Sequence, residues 1–168
     1  MAGSNFSAIL PLLVVHDVRF IVIGGGAAIA HGGSRLTYDV DVAYARDGAN
    51  LTHLVAALKP HRPYPRGAPA GLPFQWDERT LQAGLNFTLT TALGDLDLLG
   101  EVTGGGGYEQ LLPFSDELEA FGVKCRFINL VKLIQLKKAA GRPKDIEAIA
   151  ELEGILEERS KQAQEMER

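Results

Sequence analysis

The chain has 168 residues, 46% hydrophobic and 23% charged, a length that suits one domain with a real core. A single cysteine, Cys125, excludes an internal disulfide and a cysteine-built metal cluster, and no apolar run reaches the roughly 18–20 residues of a membrane span. The net charge of −4 is uneven: residues 144–168 hold eight acids and four bases, whereas 120–144 hold seven bases and no acid, so an anionic ligand is not excluded.

Residues 5–17 read as a helix with Phe6, Ile9, Leu10, Leu13 and Val14 on one face. Pro11 is awkward inside a helix, so the start is expected nearer to it. Arg19–Ile23 is a short apolar strand. Gly24–Gly26 turns the chain, Ala27–His31 is a short helix, and Gly32 and Gly33 end it. Thr37–Tyr44 is a second strand and Ala49–Leu58 a helix with Leu51, Leu54, Val55 and Leu58 as its apolar stripe.

Residues 59–73 contain five of the eight prolines and no periodicity, so a long loop is expected there, either functional or solvated. Leu85–Thr91 and Leu96–Leu99 read as a hairpin turning at Gly94-Asp95, and Gly104–Gly107 as a flexible run. A strand pair over 114–128 breaks at Gly122. Asn129 caps a helix running to Ala139, Gly141 ends it, and Pro143 opens a last helix reaching about Glu158, followed by a polar, frayed tail.

The chemistry concentrates in residues 20–44. Free backbone N–H groups at a helix start after a strand suit an anion. A dinucleotide fingerprint needs a small residue where Ile29 stands, and a P-loop needs Gly-Lys-Ser/Thr, which is absent. Asp39 and Asp41, two apart on a strand, point to one face, and such carboxylates can hold Mg²⁺ against phosphate. Asp97, an acid in the apolar run Leu96–Leu99, is a candidate third ligand, while Asp95 reads as a turn residue facing water. Lys137 falls on the inward stripe of its helix with Leu130, Leu133 and Ile134, so its stem either snorkels to water or its amine meets a buried anion. Asp145 lies in the apolar arc of the last helix, favouring its dipole or bonding Lys137 or Arg35. His31, near the glycine turn, reads as a structural or capping residue ahead of a catalytic one, and Trp76 and Tyr64 as core aromatics or base-stacking groups.

Ile23-Gly24-Gly25, thirteen residues, then Asp39-Val40-Asp41-Val42 resembles the signature of the nucleotidyltransferase superfamily, which shares the polymerase-β-like fold. The string from His31 through Ser34, Arg35 and Thr37 to Asp41 resembles small bacterial nucleotidyltransferase-like proteins, including the AbiEii-type toxin group. So do Asn86–Gly100 and Leu133–Asp145. The resemblance implies an α+β fold: a mixed β-sheet flanked by helices, with a C-terminal helical pair. Residues 1–128 would form the catalytic domain and 129–168 a helical segment packed on it as one compact unit. It implies that Asp39, Asp41 and Asp97 are the catalytic acids and hold Mg²⁺, two ions in all. Gly24, Gly25, Ser34, Arg35, Thr37, Lys137 and Asp145 would bind the nucleotide. Gly25 and Gly26 depart from the Gly-Ser common in active members, leaving only backbone to reach phosphate.

The expected activity is transfer of a nucleoside monophosphate from an NTP such as ATP to a hydroxyl of an RNA end (tRNA among them), a protein or a small molecule. A toxin role with a cognate antitoxin is one form of it. The competing expectation is an inactive binding or interaction protein with the same fold. No membrane partner is expected, and the expected location is cytoplasmic, since no leader pattern is seen at the N-terminus.

Overall fold

The computed structural model describes residues 2–35, 37 and 39–168. Leu36 and Tyr38, inside the expected second strand and its approach, lie outside the described residues.

Helix α1 spans Ala2–Val15, with Pro11 inside it rather than near its start. Phe6, Ile9, Leu10 and Leu13 are fully buried on one face. That burial outweighs the one backbone bond a proline removes. Strand β1, Phe20–Ile23, is buried throughout. Helix α2, Gly24–Ala30, begins on the glycines themselves, so the expected turn is the first turn of the helix. Strand β2 is Val40–Tyr44, three residues shorter than expected, and Asp39 therefore precedes it.

Helix α3, Gly48–Leu58, is capped by Asp47 accepting from Asn50 N. The 59–73 stretch is not structureless. It holds a 3₁₀ turn at Lys59–His61 and a short strand, β3, Tyr64–Pro65. Helix α4, Glu78–Ala83, was not legible because six residues carry little periodicity. Strands β4, Asn86–Thr91, and β5, Gly94–Leu99, turn at Ala92-Leu93. Gly94 takes φ +123°, and Asp95 lies inside β5 instead of in the turn.

The run Gly104–Gly107 is packed rather than loose. A side chain at Gly105 would lie 2.7 Å from Leu136 and 2.9 Å from Leu111. Helix α5, Tyr108–Leu111, follows. Strands β6, Ser115–Ala120, and β7, Val123–Ile128, join at Phe121-Gly122, both at positive φ, which matches the twist of a tight hairpin. Helix α6, Leu130–Ala140, is capped by Asn129, whose side chain accepts from Lys132 N at 2.8 Å, and Gly141 ends it. After a 3₁₀ turn at Pro143–Asp145, helix α7 runs Ile146–Met166, so the expected frayed tail is helical almost to its end. Good helix formers and the Glu157–Lys161 pair at i, i+4 account for it.

The strands form one mixed sheet in the order β3-β4-β5-β2-β1-β7-β6. β2 runs antiparallel to β1 and parallel to β5, and β1 runs parallel to β7. α1 lies against β7, β2 and β5; α2 lies against β1, β2 and α6; α6 packs on α7. This is the α+β architecture of a mixed sheet with flanking helices and a C-terminal helical pair. No helix among the described residues is long and apolar enough to cross a membrane.

Phe6 closes the centre, stacking on Phe121 at 4.7 Å between ring centroids, and it occupies the space a side chain at Gly26 would take. Phe6→Ala should cost about 3–5 kcal/mol, the range for a large buried aromatic. Urea unfolding checks it through a lower midpoint at an unchanged slope.

Candidate active site

The parallel register of β2 and β5 places Asp41 opposite Asp97. Their neighbours Val40, Val42, Leu96 and Leu98, which point to the other face, are all fully buried. The two carboxylates are close enough to affect each other's ionisation. Burial is the main cause that pushes the Asp41 carboxyl up to about 7, followed by the Asp97 charge, then Asp39. Arg142 pulls the other way. Asp41 therefore gains or loses its proton near neutral pH.

Gly24 sits directly against this pair. It takes φ +64°, and a Cβ there would lie 2.5 Å from Asp41 Oδ2. A Cβ on Gly25 would lie 2.5 Å from Thr37 Cγ2. Only glycine lets α2 start so close to a carboxylate.

Lys137 does not snorkel. Its side chain is 11% exposed, and Nζ lies 3.7 Å from Asp145 Oδ1. The buried Asp145 also accepts from Arg142 Nε at 2.7 Å. Asp145 thus positions two cations beside Asp41. Arg142 was not among the expected site residues. It lay in the recognised stretch Leu133–Asp145, but no periodicity marks a residue in a loop.

Two cavities meet at Gly24, Asp41, Lys137 and Arg142. One, of about 250 Å³, is lined by Gly25, Thr37 and Asp39 and by the bases Arg35 and Lys144. The other, of about 290 Å³, has Leu99, Leu133 and Leu136 in its wall and Asn86, Asp97 and Glu101 at its polar positions. It continues into a groove along Thr103–Gly106 and Gln110.

The remaining expected residues fall as follows. Asp39 is exposed ahead of β2, its N–H donating to Thr37 Oγ1 at 3.3 Å. Arg35 lines the basic cavity while pairing with Glu147 of α7. Ser34 lines neither cavity. Its N–H and hydroxyl both bond the Glu151 carboxylate, tying this loop to α7. His31 is structural: Nε2 bonds the Ile128 carbonyl at 2.8 Å, and Arg159 donates to His31 O at 3.1 Å. Trp76 is buried edge-on to Phe87. Asp95, expected to face water, lies 3.3 Å from Arg66 Nε.

Mg²⁺ takes one or two carboxylates plus phosphate oxygens. Asp41 and Asp97, with the glycine-lined cradle beside them, fit that habit. Asp39 lines a cavity with Asp41 and adds to the charge that raises the Asp41 carboxyl.

This sheet, with its acids on β2 and β5 and a glycine start to α2, has the nucleotidyltransferase fold. The chain aligns with the crystal structure of the lincosamide antibiotic adenylyltransferase LnuA bound to lincomycin at a TM-score of 0.60. That match is 17% identical and covers 90% of this chain and 96% of the other. No protein-family model and no curated protein matches the chain by sequence.

The raised Asp41 has a stability consequence. The folded protein keeps a proton that the unfolded chain loses near pH 4. Its contribution is therefore complete below about pH 4 and is lost as pH rises through about 7. Asp41→Asn should flatten this slope and raise the metal-free melting temperature at pH 8 by about 2–5 °C. Melting curves from pH 5 to pH 8 check it; a variant that follows the wild-type slope contradicts it.

Proposed function

We propose that the protein is a Mg²⁺-dependent nucleotidyltransferase that moves a nucleoside monophosphate from an NTP to a hydroxyl of a small molecule. The supporting observation is the division of space at Asp41: a cavity that adds Arg35 and Lys144 to Lys137 and Arg142 on one side, and on the other a mixed cavity that carries Asp97 and has Leu99, Leu133 and Leu136 in its wall.

The triphosphate would lie in the basic cavity, along the backbone of Gly24 and Gly25, with Arg35, Lys137, Arg142 and Lys144 facing its charge. Bound Mg²⁺ would supply charge neutralisation at the phosphates. The acceptor hydroxyl would enter from the leucine-lined side beside Asp97. Its oxygen forms a bond to the α-phosphorus, its proton passes to the Asp97 carboxylate, and the α–β bridging P–O bond breaks to release pyrophosphate. The protein's part is mostly positioning and charge stabilisation, as in other phosphoryl transfers.

The acceptor class follows from the lining. An RNA end is held chiefly through phosphates by Lys and Arg. Among the described residues, the groove beyond the leucine-lined cavity carries Glu101 and Gln110 and no Lys or Arg, the bases Lys137 and Arg142 standing in the cavity itself. About 290 Å³, with Leu99, Leu133 and Leu136 in the wall beside polar groups, is near the lower range for a small-molecule pocket. The LnuA structure, which holds the antibiotic lincomycin, accords with this class. An RNA acceptor, a protein acceptor and an AbiEii-type toxin role are the less supported forms of the same proposal.

One observation favours a second reading, an inactive interaction protein of the same fold: Asp97 already has an ion-pair partner, Arg66. Calorimetry with Mg²⁺ and each NTP separates the two. The transferase reading expects binding of at least one NTP with micromolar to millimolar affinity, lost more than tenfold in the Asp39→Asn, Asp41→Asn double variant. Absence of binding by every NTP favours the interaction protein.

With α-³²P-labelled NTP and separate pools of small molecules, RNA and protein, label should appear in the small-molecule pool. It should fall at least tenfold when Leu99→Trp fills the leucine-lined cavity. Label in RNA or protein instead would contradict the acceptor class.

A further inference from the structure

Arg66 reaches the site from the proline-rich stretch, immediately after β3. Its own N–H donates to Thr88 O at 2.9 Å, adding one more rung to the β3–β4 pairing. Thr88 is the register partner of Asp97. The Arg66 side chain crosses β4, and Nη2 donates both to Leu89 O at 2.7 Å and to Asp97 Oδ1 at 2.8 Å. Nε is buried, makes no hydrogen bond, and lies 3.3 Å from Asp95 Oδ2. The guanidinium is thus wedged between two carboxylates of one strand and a backbone carbonyl.

The surrounding stretch is built to hold it there. The Tyr64 hydroxyl donates to Pro69 O and accepts from Leu72 N at 3.2 Å, and the Tyr64 ring meets Phe74 edge-on. Ala92 N donates to His61 O at 2.8 Å, fixing the other end. Prolines lower the entropy lost when such a stretch adopts one conformation.

We propose that Arg66 is a positioning residue for Asp97. By holding Oδ1 it fixes the carboxylate plane and turns the other oxygen toward Asp41 and the cavity, where the cation and the acceptor hydroxyl of the proposed transferase would meet it. Outer partners that orient a ligating carboxylate commonly matter ten- to a hundredfold in metal affinity. The forked guanidinium reaches Leu89 O and Asp97 together, which a lysine ammonium does not reproduce from the same backbone position. The proline-rich stretch is then a mount for Arg66. The inference rests on the transferase reading of the preceding subsection.

The test is Mn²⁺ binding in the presence of ATP, followed by the electron paramagnetic resonance of free Mn²⁺. Wild type is expected to bind. Arg66→Ala and Arg66→Gln should each weaken Mn²⁺ at least about tenfold, with ATP affinity at saturating Mn²⁺ held within about threefold. Arg66→Lys should remain close to Arg66→Ala. Asp95→Asn, which leaves the Arg66–Asp97 bond in place, should stay near wild type. If Arg66→Ala is poorly folded, Arg66→Gln, judged by its circular dichroism and melting curve, carries the test. Unchanged or tighter Mn²⁺ binding in a folded Arg66 variant, or full rescue by lysine, overturns the positioning role while leaving the transferase reading intact. No Mn²⁺ binding by wild type overturns both.

Discussion

Asp41 and Asp97 stand side by side because β2 and β5 run parallel with those two residues in register. Their side chains must share one face, since the alternate residues are committed to the core. Burial and the neighbouring Asp97 charge both make ionising Asp41 costly, which raises its carboxyl pKa. The neighbouring structure answers that constraint. Gly24 has no side chain where one would strike Asp41. Arg66 compensates Asp97 from one side, and Arg142 with Lys137 faces Asp41 from the other, both steered by the buried Asp145. A divalent cation would relieve the same repulsion.

The arrangement also separates two chemistries across a few residues. Bases gather where Arg35, Thr37 and Asp39 meet α6 and the start of α7, and apolar side chains of β5 and α6 line the opposite side. The long C-terminal helix contributes by tethering: Glu147 and Glu151 hold Arg35 and Ser34, and Arg159 holds His31. The charge imbalance between 120–144 and 144–168 thus has a structural use, with the acids of α7 pairing to residues at the mouth of the basic cavity.

The core of the fold was legible because its signals are periodic and local. Apolar stripes marked α1, α3 and α6, and a capping asparagine and a positive-φ glycine bounded α6. Asp97 and Lys137 stood out as charges at positions where the pattern calls for apolar residues, and Asp41 as one of two carboxylates sharing a strand face. Tertiary packing decided what was misread. Burial of Phe6, Ile9, Leu10 and Leu13 carries a helix through Pro11. The glycines 104–107 look flexible only until Leu111 and Leu136 are seen against them. Arg66 could not be found from the sequence at all. It lies among prolines with no repeating pattern, and its partners are 23 and 31 residues away.

A crystal structure with Mg²⁺ and a non-hydrolysable NTP tests the central claim most directly. The account predicts metal on Asp41 and Asp97, the triphosphate along Gly24 and Gly25 facing Arg35 and Lys144, and an open leucine-lined cavity beside the α-phosphate. Phosphates lodged on the leucine-lined side, or a nucleotide bound with Asp41 and Asp97 free of metal, would contradict it.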